Sequence, residues 1–150
     1  MFYIVHVLLG GIIGSNLNSI ILIISLGILS HFILDSIPHW GLGFDLESFN
    51  EYFEVSFMKK TLCVGAIDAI VAISLIFLLY NNFHTSNVVI GCIAALFPDI
   101  ISAGYFTKLK NKKTYRKIMT FHGKIQKESG FFYGILTQLI LVIIFIKILF

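Results

Sequence analysis

The sequence predicts an all-α integral membrane bundle of about five helices, the first of them short. Three observations carry that expectation. Hydrophobic residues make up 57% of the chain and charged residues 13%, with a mean hydropathy of +0.92, which is too little charge to keep a soluble domain dispersed. The apolar residues fall into separate runs near the ~20 residues that a spanning helix needs. The basic residues gather in one connection instead of spreading along the chain. At 150 residues, the chain has room for a single bundle domain.

Residues 1–15 are apolar but short, so this helix is expected to enter part-way or to pack inside the bundle. Residues 19–38 form the second span, and a more polar stretch follows at 39–58. Residues 61–80 and 86–105 form the third and fourth spans, joined by 81–87. A basic stretch at 107–128 leads to the last span at 130–150. That stretch carries Lys108, Lys110, Lys112, Lys113, Arg116, Lys117, Lys124 and Lys127, whereas the connections at 16–18 and 81–87 carry no Lys or Arg. The positive-inside rule then places 107–128, 39–60 and the N-terminus on the cytoplasmic side. The expected location is a plasma membrane of prokaryotic type. The start of the chain lacks the basic region and small-residue cleavage site of a secretory signal, so the first helix is expected to remain.

Several classes of function find no support. There is no GxGxxG or GxxxxGK phosphate loop and no CxxC spacing; Cys63 and Cys92 lie in apolar runs and read as packed thiols. The basic stretch is short and membrane-tethered, which fits topology and anionic headgroups better than nucleic acid.

Of eight acidic residues, Asp35, Asp68 and Asp99 lie inside apolar spans. An ionised carboxylate there costs about 2.5–3.5 kcal/mol even on insertion scales, so each needs a cation, a proton or water. One such aspartate is readily explained as a protonated packing group; three at one end are not. His31, Asp35 and His39 end the second span, Asp68 lies nine residues past Lys59, Asp99 lies six before Tyr105, and His6 and His122 belong to the same side. At ~1.5 Å per residue, all fall within roughly 15 Å of one interface. His31 and Asp35, four apart, share a helical face within reach of one ion. Pro38 disturbs that helix and puts His39 on its exit turn. Nitrogen and carboxylate donors together suit zinc, or manganese or iron if more oxygens join.

The segment HFILDSIPH resembles the metal-binding signature HxxxDxxxPxH of zinc-dependent phospholipases C and single-strand zinc nucleases, with a shortened interval between Asp35 and His39. The whole chain resembles the small membrane-bound metal-dependent hydrolases of the same broad group. Those carry an early histidine, an SHxxxD helix and a proline–aspartate at the end of a hydrophobic helix. The matching positions here are His6, Ser30-His31 with Asp35, and Pro98-Asp99, in a different order along the chain. The resemblance implies a divalent metal, with zinc foremost, held by histidines and aspartates, and hydrolysis of a phosphoester; the expected depth of the site, just under the headgroup plane, is well placed for a lipid phosphoester.

The expected metal ligands are therefore His6, His31, Asp35, His39, Asp68, Asp99 and His122, with Asp68 or Asp99 as general base. Asp68 and His122 enter this set through topology alone. The alternatives are a divalent-cation binding or transport protein and a non-catalytic structural membrane protein. Gly10 and Gly14 form a GxxxG expected to serve close helix packing. Phe49, Phe53 and Phe57, interleaved with Asp45, Glu47, Glu51 and Glu54, read as an interfacial amphipathic helix. Trp40 reads as an interface aromatic, His84 as solvated, and Gln138 as a hydrogen-bonding group toward a neighbouring helix.

Overall fold

The computed structural model describes residues 1–41 and 55–150, with the side chains of 55–62, 105, 106 and 110 left aside. The expected amphipathic helix around Phe49, Phe53 and Phe57 lies outside the described side chains. Among the described residues there are six α-helices: α1 (Tyr3–Asn16), α2 (Ile20–Asp35), α3 (Val55–Phe83), α4 (Ser86–Ser102), α5 (Lys113–Ile125) and α6 (Phe131–Leu149). Two short 3-10 turns, Ala103–Phe106 and Lys108–Asn111, join α4 to α5. The sixth helix is a correction. The basic stretch folds as α5, because Tyr115, Met119 and His122 recur at helical spacing and give it one inward face.

Two further boundaries differ from the expected spans. The second ends at Asp35 instead of 38, since Pro38 has no N–H and disfavours helical geometry in the residue before it. The fourth ends at Ser102, after which the chain tightens into 3-10 turns. Helix α3 continues to Phe83, so the α3–α4 connection is only His84 and Thr85. His84 is exposed and takes a positive φ of 51°, and Thr85 caps α4 by accepting from Asn87 N.

Helix α1 is the central element. Val5, His6, Val7 and Leu8 are consecutive and all fully buried, which an element wrapped on every side requires. It packs on α2, α3, α4 and α6, most extensively on α4. The α1–α4 crossing depends on missing side chains. A Cβ on Gly10 would stand 2.5 Å from the Gly91 carbonyl oxygen and 2.8 Å from Cys92 Cα, and one on Gly14 would collide with Asn87 and Val88. The GxxxG thus lets the two backbones touch, with Gly91 as its counterpart. Cys92 is buried beside it and donates to the Val7 carbonyl at 3.3 Å. Cys63 departs from expectation: its side chain is exposed on α3.

Several polar side chains are enclosed while many large apolar ones are exposed. His6, His31 and Asp35 are 0% exposed, while Ile21 is 77% and Phe132 84% exposed. Two helices, over Cys63–Phe83 and Phe131–Leu149, are long and apolar enough to cross a membrane, and both present most of their side chains outward.

After α2, residues 35–39 pair with the segment that leaves α5. Lys127 N donates to the Asp35 carbonyl (2.9 Å), His39 N to the Lys127 carbonyl (3.1 Å) and Ser129 N to the His39 carbonyl (2.8 Å). Gly134 of α6 then lies against the Trp40 backbone so closely that a Cβ would overlap it. Gln138 secures the same corner, accepting from Phe2 N (2.8 Å) and donating to the Trp40 carbonyl (3.2 Å).

Candidate metal centre

The first turns of α1, the end of α2, the last turns of α4 and the end of α5 converge at one end of the bundle. Asp35 is at the focus. Its Oδ2 lies 3.1 Å from His31 Nε2 and 3.0 Å from His122 Nε2, and those two ring nitrogens are 3.0 Å from each other. Its Oδ1 lies 3.4 Å from His6 Nε2 and 3.1 Å from the Met1 amino group. His6 stacks on His31 with ring centroids 4.2 Å apart, and Asp99 Oδ1 is 3.8 Å from His31 Nε2.

The outer hydrogen bonds decide where the protons are. His31 Nδ1 is 2.8 Å from the Ala95 carbonyl oxygen, which can only accept, so Nδ1 carries the hydrogen. The Ser102 hydroxyl donates to the Pro98 carbonyl at 3.0 Å and therefore offers His122 Nδ1, 3.2 Å away, a lone pair. Again Nδ1 is the donor. In the neutral rings both Nε2 atoms then present bare lone pairs to each other and to a carboxylate oxygen. Three acceptors at the corners of a triangle with 3.0–3.1 Å edges repel unless a cation or an added proton sits among them. Tetrahedral bonds of ~2.0 Å place ligand atoms about 3.3 Å apart, so the triangle has the dimensions of one face of a metal site. Outer partners that fix ring tautomers are the usual accompaniment of metal-binding histidines.

Two sets of donors lie within 4.8 Å of one another: His31, Asp35 and His122, and His6, His31 and Asp99. His6 Nδ1 and Nε2 and Asp99 Oδ2 are buried without a hydrogen-bond partner among the described residues. Unsatisfied buried nitrogen and carboxylate atoms, one from each of His6 and Asp99 within reach of His31, are the kind of donor that a metal ion requires. The residues present fit a divalent ion, with nitrogen in the majority.

The other expected ligands have different partners. Asp68 Oδ2 accepts from Tyr3 N at 2.7 Å, capping the first turn of α1 from a neighbouring helix. His39 is buried just beyond α2, donating from Nδ1 to the Ile37 carbonyl (2.8 Å) and facing the Met1 amino group with Nε2 (2.9 Å). Burial, reinforced by that nearby positive charge, lowers its pKa and keeps the ring neutral. Sequence reasoning missed Ser102, the Ala95 carbonyl and Tyr115, whose hydroxyl donates to the Ser102 carbonyl at 2.9 Å. It also missed Gln126, whose Nε2 reaches Asp35 Oδ2 at 3.4 Å. Only Tyr115 left a signal, its seven-residue spacing from His122 in a strongly basic stretch. Compared with known protein families, curated proteins and solved structures, the chain shows no match.

Proposed function

We propose that this chain is a membrane-embedded, metal-dependent hydrolase of phosphoesters, working near the cytoplasmic face on a phospholipid-like substrate. The observation that carries the reading is the triangle of Asp35 Oδ2, His31 Nε2 and His122 Nε2, whose lone pairs are turned inward by hydrogen bonds on the far side of each ring. The burial pattern supports a bilayer surrounding, since large apolar side chains cover much of the outer surface while His6, His31 and Asp35 are enclosed. The resemblance of HFILDSIPH to zinc phosphodiesterase signatures supports the reaction class.

In this reading His31, Asp35 and His122 hold the ion, and His6 with Asp99 completes or extends the site. Zinc is favoured over manganese or iron because three of the five donors are imidazoles. A bound divalent ion would supply Lewis acidity toward a phosphoryl oxygen and toward water. Asp99 keeps one carboxylate oxygen free of hydrogen bonds, which suits it to accept the proton of the attacking water. Asp68, engaged at the start of α1, is assigned to positioning that helix and with it His6.

The test is metal content per chain after purification without added metal, followed by hydrolysis assays on phospholipids and a generic phosphodiester. Stoichiometric zinc and turnover that His31→Ala abolishes are expected. Bound metal without turnover on any phosphoester would favour the cation-binding alternative, and absence of metal would refute both.

A further inference from the structure

Helix α5 supplies one corner of the triangle yet is weakly anchored. Its buried side chains are Tyr115 and His122, and they hold it through polar contacts to Ser102, His31 and Asp35. Elsewhere its surface is sharply divided. Lys113, Lys117 and Lys124 fall within an arc of about 40° on the side opposite His122. None of the three pairs with a carboxylate among the described residues. Between the lysine row and the buried face lie Ile118 and Phe121, 45% and 58% exposed; Phe121 touches Phe32 edge-on at 5.7 Å. Within 107–128 there are eight basic residues and one acidic residue, Glu128.

We propose that α5 docks onto anionic phospholipid headgroups, and that docking seats His122 and so completes the metal centre. The proposal rests on the membrane and metal readings above. A lysine row flanked by exposed isoleucine and phenylalanine has the form of a helix lying in the headgroup plane, apolar flank down and ammonium groups among phosphates. Charge complementarity commits the surface to an anionic layer. Because His122 sits on the same rigid helix, lipid and metal each favour the same position of α5, and linkage makes the effect reciprocal. A purely topogenic role for the lysines would show no dependence on lipid charge once the chain is inserted.

The experiment uses the full chain in nanodiscs of phosphatidylcholine alone or with one-third phosphatidylglycerol. Amide exchange over 113–125 should slow by roughly ten-fold or more in the anionic discs, each lysine near such a surface contributing about five-fold. High salt and the triple substitution K113Q/K117Q/K124Q should both remove the difference. Equal exchange in the two discs would overturn docking. Zinc affinity, read against a competing chelator, should tighten in anionic discs for the unmodified protein more than for the triple variant, which controls for zinc accumulating at the surface. Equal tightening in both proteins would overturn the coupling. Zinc binding in neither disc would refute the metal reading and the coupling with it, while the exchange rates would still decide docking.

Discussion

Replacing Asp99 by Asn separates a metal ligand from a packing residue, because the two roles predict opposite signs in the two states of the protein. Asp99 is 15% exposed, its Oδ2 has no hydrogen-bond partner among the described residues, and its nearest counter-group, His31 Nε2, is 3.8 Å away. Without metal, the carboxylate is a buried, poorly compensated group whose replacement relieves about 1–3 kcal/mol. For a chain of this size that corresponds to a rise in melting temperature of about 2–4 °C per kcal/mol. With zinc, the same change removes one donor. If four-ligand sites supply ~10–16 kcal/mol in all, one ligand accounts for about 3 kcal/mol, or roughly a hundred-fold in affinity. At zinc one thousand-fold above the unmodified dissociation constant, the stabilisation by metal falls from about 4.1 to about 1.4 kcal/mol. The assay is thermal unfolding in detergent, followed by Trp40 fluorescence, in chelator and in zinc, for both proteins. Asp99→Asn should melt higher than the unmodified chain in chelator and gain less from zinc. A variant with undiminished zinc affinity, or one that melts lower in chelator, would refute the assignment.

The other expectations are simpler. Ser102→Ala removes the acceptor that holds the His122 tautomer and should weaken zinc binding by about 10–100-fold; titration against a chelator reads it, and unchanged affinity would show that the ring needs no such partner. Gly91→Ala places a methyl against the Gly10 carbonyl oxygen and within 3.1 Å of Gly14 N, and should cost about 1–3 kcal/mol in a denaturation series while also loosening zinc, since α4 carries Ala95 and Asp99. Single cysteines introduced by His84→Cys and Lys112→Cys, in a background with Cys63 and Cys92 removed, should react with impermeant reagents from opposite faces of the membrane. Labelling from one common face would overturn the topology.

The helices that place the site were legible because each long apolar run has few alternatives, and the aspartates were legible because carboxylates in such runs are costly. What separates Asp99 from Asp68 was not legible. Both are lone acids in hydrophobic spans, and only the three-dimensional arrangement shows that α1 begins beside one and that His31 lies beside the other. Helix α5 was obscured by the charge of the stretch around it: eight basic residues over 107–128 point to topology, while the helical period rests on Tyr115, Met119 and His122 alone. Ser102 has no signal of its own, since serine near a helix end is ordinary and its role exists only because α5 folds back over it. Gly10 and Gly14 announced a close approach, but their partner Gly91 became evident only when α4 was in place.

The unequal helix lengths have a mechanical consequence. Helices α1, α2 and α4 contain 14, 16 and 17 residues, so at ~1.5 Å per residue they are about 21–26 Å long, short of a hydrocarbon layer of ~30 Å. The outward-facing α3 and α6, with 29 and 19 residues, are long enough to match it. With α1 enclosed, a bilayer around such a bundle would meet a hydrophobic mismatch at the exposed apolar faces of α2 and α4. Its least costly response is to thin locally beside the short helices, at a fraction of a kcal/mol per ångström. On the proposed reading, that thinning would lower the headgroup phosphates toward the depth of His31 and Asp35, so that the membrane itself would bring a phosphoester to the ligands and the lipid would not have to be lifted out.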